Sequence, residues 1–255
     1  MITLTSDFGT PYPAAMKGVL LQRTDARLVD VGHDFPRQDV RTAAFWLREV
    51  LPYFPSAVHL VVVDPGVGTE RAALAVRVGD HALVGPDNGV LLPAARRLAE
   101  RDDADEIEIF EVEYDDAATA STTFHGRDVF APAAADVREA GIESFETLDR
   151  ITSIDGYEDL RFPTSDLDGE TAAGEVLVID EFGNVVTNLP GDLLDGRESV
   201  AVNGERAPVE RAYAAVGPGE RLVTVGSHGN VELAVNRGRG EAAFGLSVGD
   251  EVRLA

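Results

Sequence analysis

The sequence predicts an α/β protein in two parts. An N-terminal α/β sandwich domain on a mainly parallel sheet is followed by a smaller, all-β, barrel-like domain. Three observations carry this expectation. Strand-like and helix-like segments alternate through the first part of the chain, the pattern of a sheet with helices on its faces. Val58–Val63 is a continuous apolar and β-branched run, broken only by His59, as expected of a strand buried on both faces. Beyond residue 174 only short strand-like segments remain, separated by glycine-bearing turns, which is the spacing of a small barrel or sandwich. The expected boundaries are 1–160 for the first domain, 161–173 for a linker and 174–255 for the second.

In order along the chain, Ile2–Thr5 reads as a short strand followed by the turn signal Asp7-Phe8-Gly9, and Ala14 to about Arg23 as a helix. Leu28–Val31 is strand-like. Asp39 is placed to cap a helix running to about Tyr53, with Val40, Ala43, Ala44, Leu47 and Val50 on one face. The Val58–Val63 strand stops at Asp64-Pro65-Gly66-Val67-Gly68. Ala73–Val78 and Ala82–Val84 form a hairpin about Gly79-Asp80. A helix over Val90 to about Arg101, a strand at Ile107–Val112 and a helix over Val129–Ala140 complete the first domain. The stretch Tyr157 to Gly174 is polar, acidic and without period, hence the expected linker. The second domain offers strands at Glu175–Ile179, Asn184–Leu189, Ser199–Val202, Arg221–Thr224, Val231–Val235 and Glu251–Leu254. In sheets of the first kind, ligands bind beyond the carboxyl ends of the strands. Asp7 and Asp64 both stand at such ends.

Composition narrows the function. Of 255 residues, 45 are Asp or Glu and 22 are Lys or Arg, giving a net charge of −23. Lys17 is the one lysine. This balance argues against nucleic acid and against an anionic membrane surface as partners. It fits a protein adapted to a salty, halophilic cytoplasm, where carboxylates hold water and screened charges repel weakly. Zero cysteines exclude disulfides, thiolate nucleophiles and thiolate-bound metals. No apolar run approaches the ~20 residues that span a bilayer, and the N-terminus enters a strand pattern with no leader-like core. A cytoplasmic protein is expected.

The usual nucleotide-binding glycine motifs, the Gly-x-Ser-x-Gly elbow and the His-Glu-x-x-His zinc motif are all missing. His33, His59, His81, His125 and His228 are far apart. Four segments are instead too polar for their position: Thr5–Gly9, Val63–Arg71, Gly85-Pro86-Asp87-Asn88-Gly89 and Thr122–Asp128. Each is also ordinary turn chemistry, and a metal site assembled in space from Asp7, Asp64, Asp87, Asp128 and His125 stays open on residue types alone.

These segments, in order and wording, resemble the S-adenosyl-L-methionine (SAM) hydroxide adenosyltransferase family, the adenosine-forming SAM hydrolases, which are related to fluorinating and chlorinating enzymes. The resemblance runs through Ala15-Met16-Lys17-Gly18-Val19, Gln38-Asp39-Val40-Arg41, Val63–Gly68, Gly85–Gly89 and Phe124–Asp128, then Asp180–Asn188 and Ala234–Gly238. It implies hydrolysis of SAM to adenosine and L-methionine, with SAM as substrate and no further cofactor and no metal. It implies Asp64, Arg71 and His125 as the catalytic set. Asp7 would hold the ribose hydroxyls, Asp180 the methionine ammonium, Phe182 and Asn184 the adenine, and Ser227 the methionine carboxylate. It also implies a homotrimer with the site at the subunit interface. The halogenating relatives carry Tyr at the position of Asp64 and Tyr-Ser at His125-Gly126, which favours water over halide here.

Two departures stand out: the Asp7–Lys17 loop is shorter than in those relatives and lacks their second acid, and His228 follows Ser227 where they have arginine. The chemistry implied is coherent. A sulfonium leaves as a neutral thioether, so the difficulty lies in water, which a carboxylate can orient or deprotonate and which Arg71 and His125 can stabilise. Both roles for Asp64 are open at this point. So are three other readings: a non-catalytic adenosine or SAM binding module, a metal-dependent hydrolase and a SAM-dependent halogenase.

Overall fold

The computed structural model describes residues 1–104, 106–115, 119–169 and 171–255. It divides into two compact units, Met1–Arg161 and Phe162–Ala255. Asp105 and Asp116, on either side of the strand expected at Ile107–Val112, and Glu170, in the expected linker, lie outside the described residues.

The first unit runs β1 (Ile2–Ser6), α1 (Tyr12–Leu21), β2 (Leu28–Gly32), α2 (Val40–Val50), β3 (Val58–Val62), β4 (Ala73–Val78), β5 (His81–Pro86), α3 (Leu92–Asp102), β6 (Ile107–Val112), α4 (Ala131–Ala140) and β7 (Ile151–Ser153). Among the described residues these strands form a seven-stranded sheet in the order β2-β1-β3-β5-β4-β6-β7. The ladders β1–β2, β1–β3 and β3–β5 are parallel. Those of β4 with β5, β4 with β6 and β6 with β7 are antiparallel. The α/β sandwich expectation therefore holds, but the sheet is mixed rather than mainly parallel, with its parallel half gathered at β2-β1-β3-β5.

That order positions the site. From β1 the chain passes through α1 to β2 on one flank, then through α2 to β3 on the other. Ser6 stands in register with Val62, so the carboxyl ends of β1 and β3 lie side by side where the strand order reverses. Open α/β sheets form their ligand crevice at this point.

Both faces of the sheet are covered. Ile2, Leu4, Val58, Leu60 and Val62 share one core with Met16 and Leu20 of α1 and with Ala133, Ala134 and Val137 of α4. On α2, the Asp39 side chain accepts from Thr42 N at 2.9 Å, the capping bond its position suggests. α2 and α3 pack on each other, and α3 also packs on β4 and β6. A buried polar chain ties these layers: Thr3 Oγ1 to His59 Nδ1 at 2.8 Å, His59 Nε2 to His81 Nδ1 at 2.9 Å, and His81 Nε2 to Arg101 Nη2 of α3 at 3.0 Å. The helix expected from Val129 is entered earlier, by a π-helical turn over Gly126–Phe130.

The second unit contains β8 (Asp166–Asp168), β9 (Thr171–Ile179), β10 (Val185–Pro190), β11 (Ser199–Val202), β12 (Glu205–Pro208), β13 (Arg221–Val225), β14 (Asn230–Val235), α5 (Gly240–Phe244) and β15 (Glu251–Leu254). Among the described residues they form an eight-stranded antiparallel sheet, β12-β11-β15-β9-β10-β14-β13, with β8 paired to β9. A bridge between Val209, just past β12, and Val223 of β13 brings its ends nearly together around Val176, Val185, Leu189, Val231 and Leu233. This is the barrel-like sheet expected. The stretch 161–173 carries β8 and the first residues of β9. All three β8 residues are exposed, so no apolar alternation marks the strand in the sequence.

Candidate active site

Asp64 follows directly on the buried end of β3, where Val63 is fully enclosed. The chain then turns sharply, with Thr69 Oγ1 donating to Gly66 O at 2.7 Å. Gly68 sits at φ +76°, and a Cβ there would fall 2.8 Å from Thr122 O. Glycine is therefore required on two counts, conformation and space. The same close approach seats the segment before His125 on the loop that carries Asp64 and Arg71. Gly126 repeats the device, since a Cβ would meet Met16 Sδ at 2.9 Å and Val62 Cγ1 at 3.1 Å. Without a side chain at 68 two loops remote in sequence close on each other, and without one at 126 the turn after His125 seats against α1 and β3.

The result is a direct contact of three side chains. Arg71 Nε donates to Asp64 Oδ1 at 2.9 Å, and Arg71 Nη2 donates to Asp64 Oδ2. The same Nη2 lies 3.2 Å from His125 Nδ1. Nη1 donates to Ala72 O at 3.1 Å, and the guanidinium lies over the Phe130 ring at 4.8 Å. Arginine only donates, so His125 accepts at Nδ1 and, as a neutral ring, carries its proton on Nε2. The Asp64 and Arg71 side chains are 5% and 10% exposed, and His125 is fully buried.

Asp64 and His125 line a cavity of about 370 Å³ together with Asp7, Phe8, Tyr12 and Phe124. Asp7 projects from the end of β1. Its Oδ2 accepts from Gln38 N at 2.6 Å, and Gln38 takes a left-handed φ of 62°. Three rings form an edge-to-face wall: Phe8 with Tyr12 at 6.1 Å, Phe8 with Phe124 at 6.0 Å and Tyr12 with Phe124 at 5.5 Å. Asp87, a member of the metal set left open by residue type, has its Oδ1 bound to Glu158 N at 2.8 Å. Among the described residues no group of three or more His, Asp or Glu side chains is arranged to hold a metal ion.

In the second unit, Asp180 and Asn184 grip each other across a tight turn. Asn184 N donates to Asp180 Oδ1 at 2.8 Å and Asn184 Nδ2 to Asp180 Oδ2 at 2.9 Å. Phe182, at the tip, is 79% exposed, and Ser227 is exposed in the turn between β13 and β14. Sequence reasoning missed two residues here. Tyr213 OH donates to Glu232 Oε1 at 2.6 Å and lies 3.4 Å from Asn184 Nδ2. Burial pushes the Glu232 carboxyl above its usual range, and the charge of Asp180 adds to this, while the Tyr213 hydrogen bond opposes it. Burial and the same hydrogen bond raise the Tyr213 phenol. The available signal was a lone acid inside the apolar run Val231–Val235.

Comparison with known proteins identifies the family. Residues 2–148 match the SAM hydroxide adenosyltransferase N-terminal domain, and residues 174–253 match the C-terminal domain of the same family. A protein of Salinispora tropica named (R)-S-adenosyl-L-methionine hydrolase is 41% identical over 262 residues, covering 99% of this chain and 97% of the relative. One of the same name from Thermus thermophilus is 42% identical over 267 residues, with 98% and 97% covered. The crystal structure of an uncharacterized conserved protein from Thermotoga maritima superposes with a TM-score of 0.80 at 34% identity, covering 100% of both chains. The chain belongs to the SAM hydroxide adenosyltransferase family.

Proposed function

We propose that this protein hydrolyses S-adenosyl-L-methionine to adenosine and L-methionine, with Asp64, Arg71 and His125 as the catalytic set. One observation carries the reading: Arg71 touches both Asp64 and His125, which themselves line one cavity with Asp7, in a chain of this family. Water attacks C5′ of the ribose in line with the departing sulfur. The C5′–O bond forms, the C5′–S bond breaks, and sulfur keeps the electron pair as the methionine thioether. The surplus proton passes from the new hydroxyl to bulk solvent, so the SAM cation and water give adenosine, methionine and one proton. Each Asp64 oxygen spends one lone pair on Arg71 and keeps another for a water. Asp64 thus holds the guanidinium and orients the nucleophile, while Arg71 and His125 stabilise developing hydroxide character electrostatically.

Asp7 takes the vicinal diol of the ribose as a charged acceptor. Asp180 takes the ammonium of the methionine end, Ser227 its carboxylate, and Phe182 and Asn184 the adenine. A homotrimeric assembly, a cytoplasmic location and adaptation to high salt belong to the same proposal. Incubation with SAM and chromatography for adenosine and methionine tests it. Both sulfonium epimers belong in the assay, because the relatives are named for the (R) form. Adenosine and methionine in equal amounts are expected. SAM retained intact would leave a binding module, and chloride-dependent 5′-chloro-5′-deoxyadenosine would make it a halogenase.

A further inference from the structure

The turn Pro86-Asp87-Asn88-Gly89 carries none of the roles above, yet it touches both ends of the loop that carries Asp64 and Arg71. Asn88 Nδ2 donates to Val63 O at 2.9 Å, one residue before Asp64. The backbone N–H of Asp87 donates to Ala72 O at 3.0 Å, one residue after Arg71. Ala72 O also accepts Arg71 Nη1. The turn is itself anchored. Asn88 Oδ1 accepts from Val90 N at 3.1 Å, and Asp87 Oδ1 accepts from Glu158 N. Gly89, at φ +85°, lies so close to Leu160 that a Cβ would come within 2.6 Å of its Cβ. An amide at position 88 is specific to this task, since one side chain must donate to Val63 and accept from Val90. Aspartate can only accept, and alanine does neither.

We infer that Asn88 is a positioning residue for Asp64 and Arg71, stapling the start of their loop while the neighbouring Asp87 amide staples its end. This rests on the reading of Asp64 and Arg71 as the reacting-site pair. Loosening the loop shifts the carboxylate and guanidinium relative to the attacked carbon without removing any group that binds SAM. Displacements of about 1 Å in such groups cost on the order of a hundredfold in rate.

The test uses Asn88→Asp, which keeps the acceptor for Val90, and Asn88→Ala, which loses both bonds. Asp64→Ala serves as the control. Three quantities are read: kcat and KM for SAM, Tm, and hydrogen–deuterium exchange of the 63–72 segment. Both Asn88 variants are expected to lose about tenfold or more in kcat with KM within threefold, and to exchange faster over 63–72. For Asn88→Asp, Tm should stay closer to the parent than for Asn88→Ala. Turnover within twofold of the parent, or slow exchange over 63–72 in Asn88→Asp, would overturn the staple. If Asp64→Ala turned over SAM like the parent, the catalytic reading would fall instead, and the exchange rates would still decide whether Asn88 holds the loop.

Discussion

Arg71 faces three acceptors at once: the Asp64 carboxylate, His125 Nδ1 and Ala72 O. Only a planar fork with several fixed donors serves all of them, so lysine is not a conservative replacement. Arg71→Lys keeps the charge yet cannot bind Asp64 through two bonds and reach His125. Asp64→Ala leaves a buried guanidinium without its carboxylate, and His125→Ala removes the ring at the cavity wall. Each of the three variants is expected to lose on the order of a hundredfold or more in kcat, as losing one preorganised transition-state donor does. SAM affinity should stay within about tenfold, because the binding groups assigned above are other residues. Steady-state kinetics with calorimetric binding checks this. Unchanged kcat with weakened binding would move these residues to the binding role. Breaking a buried pair also costs stability, about 3–5 kcal/mol where one charge is left alone. Melting curves for each variant must therefore accompany the rates.

At the scale of elements, the polar chain under α3 sets a pH response. Arg101 can only donate, so His81 accepts at Nε2 and donates from Nδ1 to His59 Nε2, and His59 in turn donates from Nδ1 to Thr3 Oγ1. A proton added to either ring would set donor against donor. Burial, then the charges of His81 and Arg101, lower the His59 pKa from 6.5 to about 3. The unfolded chain thus takes up a proton near pH 6.5 that the folded chain refuses. This contribution to stability is complete above pH 6.5 and is lost as pH falls toward 3. Between pH 6.5 and 5 the loss for His59 approaches about 2 kcal/mol. Urea unfolding at pH 7 and pH 5 should show it, and His59→Gln should flatten it; equal slopes for parent and variant would refute it. None of this was legible in the sequence, because the chain is assembled across strand registers between residues far apart. Asp7 and Asp64 were legible, since each follows a segment that reads as a strand, Ile2–Thr5 and Val58–Val63. Asp180 and Asn184 follow from family resemblance alone, and their grip on each other across the turn emerges only in the structure. Arg71 and His125 follow from family resemblance, but their meeting depends on Gly68 and Gly126 admitting a close approach. Glu232 and Tyr213 meet across a barrel and left almost no local trace. The exposed strand β8 left none.

At the scale of the molecule, charge decides the conditions under which the fold is held. Acids exceed bases by 23, so pairing every arginine and Lys17 still leaves a large negative excess. Many cations are in fact paired, as in Arg77 with Glu108 at 2.6 Å and Glu146 at 2.5 Å, Lys17 with Asp30 at 2.6 Å and Arg150 with Asp136 at 2.6 Å. Salt acts on both populations in opposite directions. It weakens surface pairs, each worth about 0–1 kcal/mol, and it relieves repulsion within the unpaired excess. The screening length falls from about 10 Å at 0.1 M to about 3 Å at 1 M, which reaches carboxylates spread over the whole surface. The excess is larger than the set of pairs that salt can harm, so relief wins. Tm should therefore rise from dilute buffer to molar KCl. A variant with several exposed acids changed to their amides should start higher in dilute buffer and gain less from salt. Melting that stays level or falls with KCl would mean the negative surface costs the fold little, and the proposed adaptation to a salty interior would lose its physical basis.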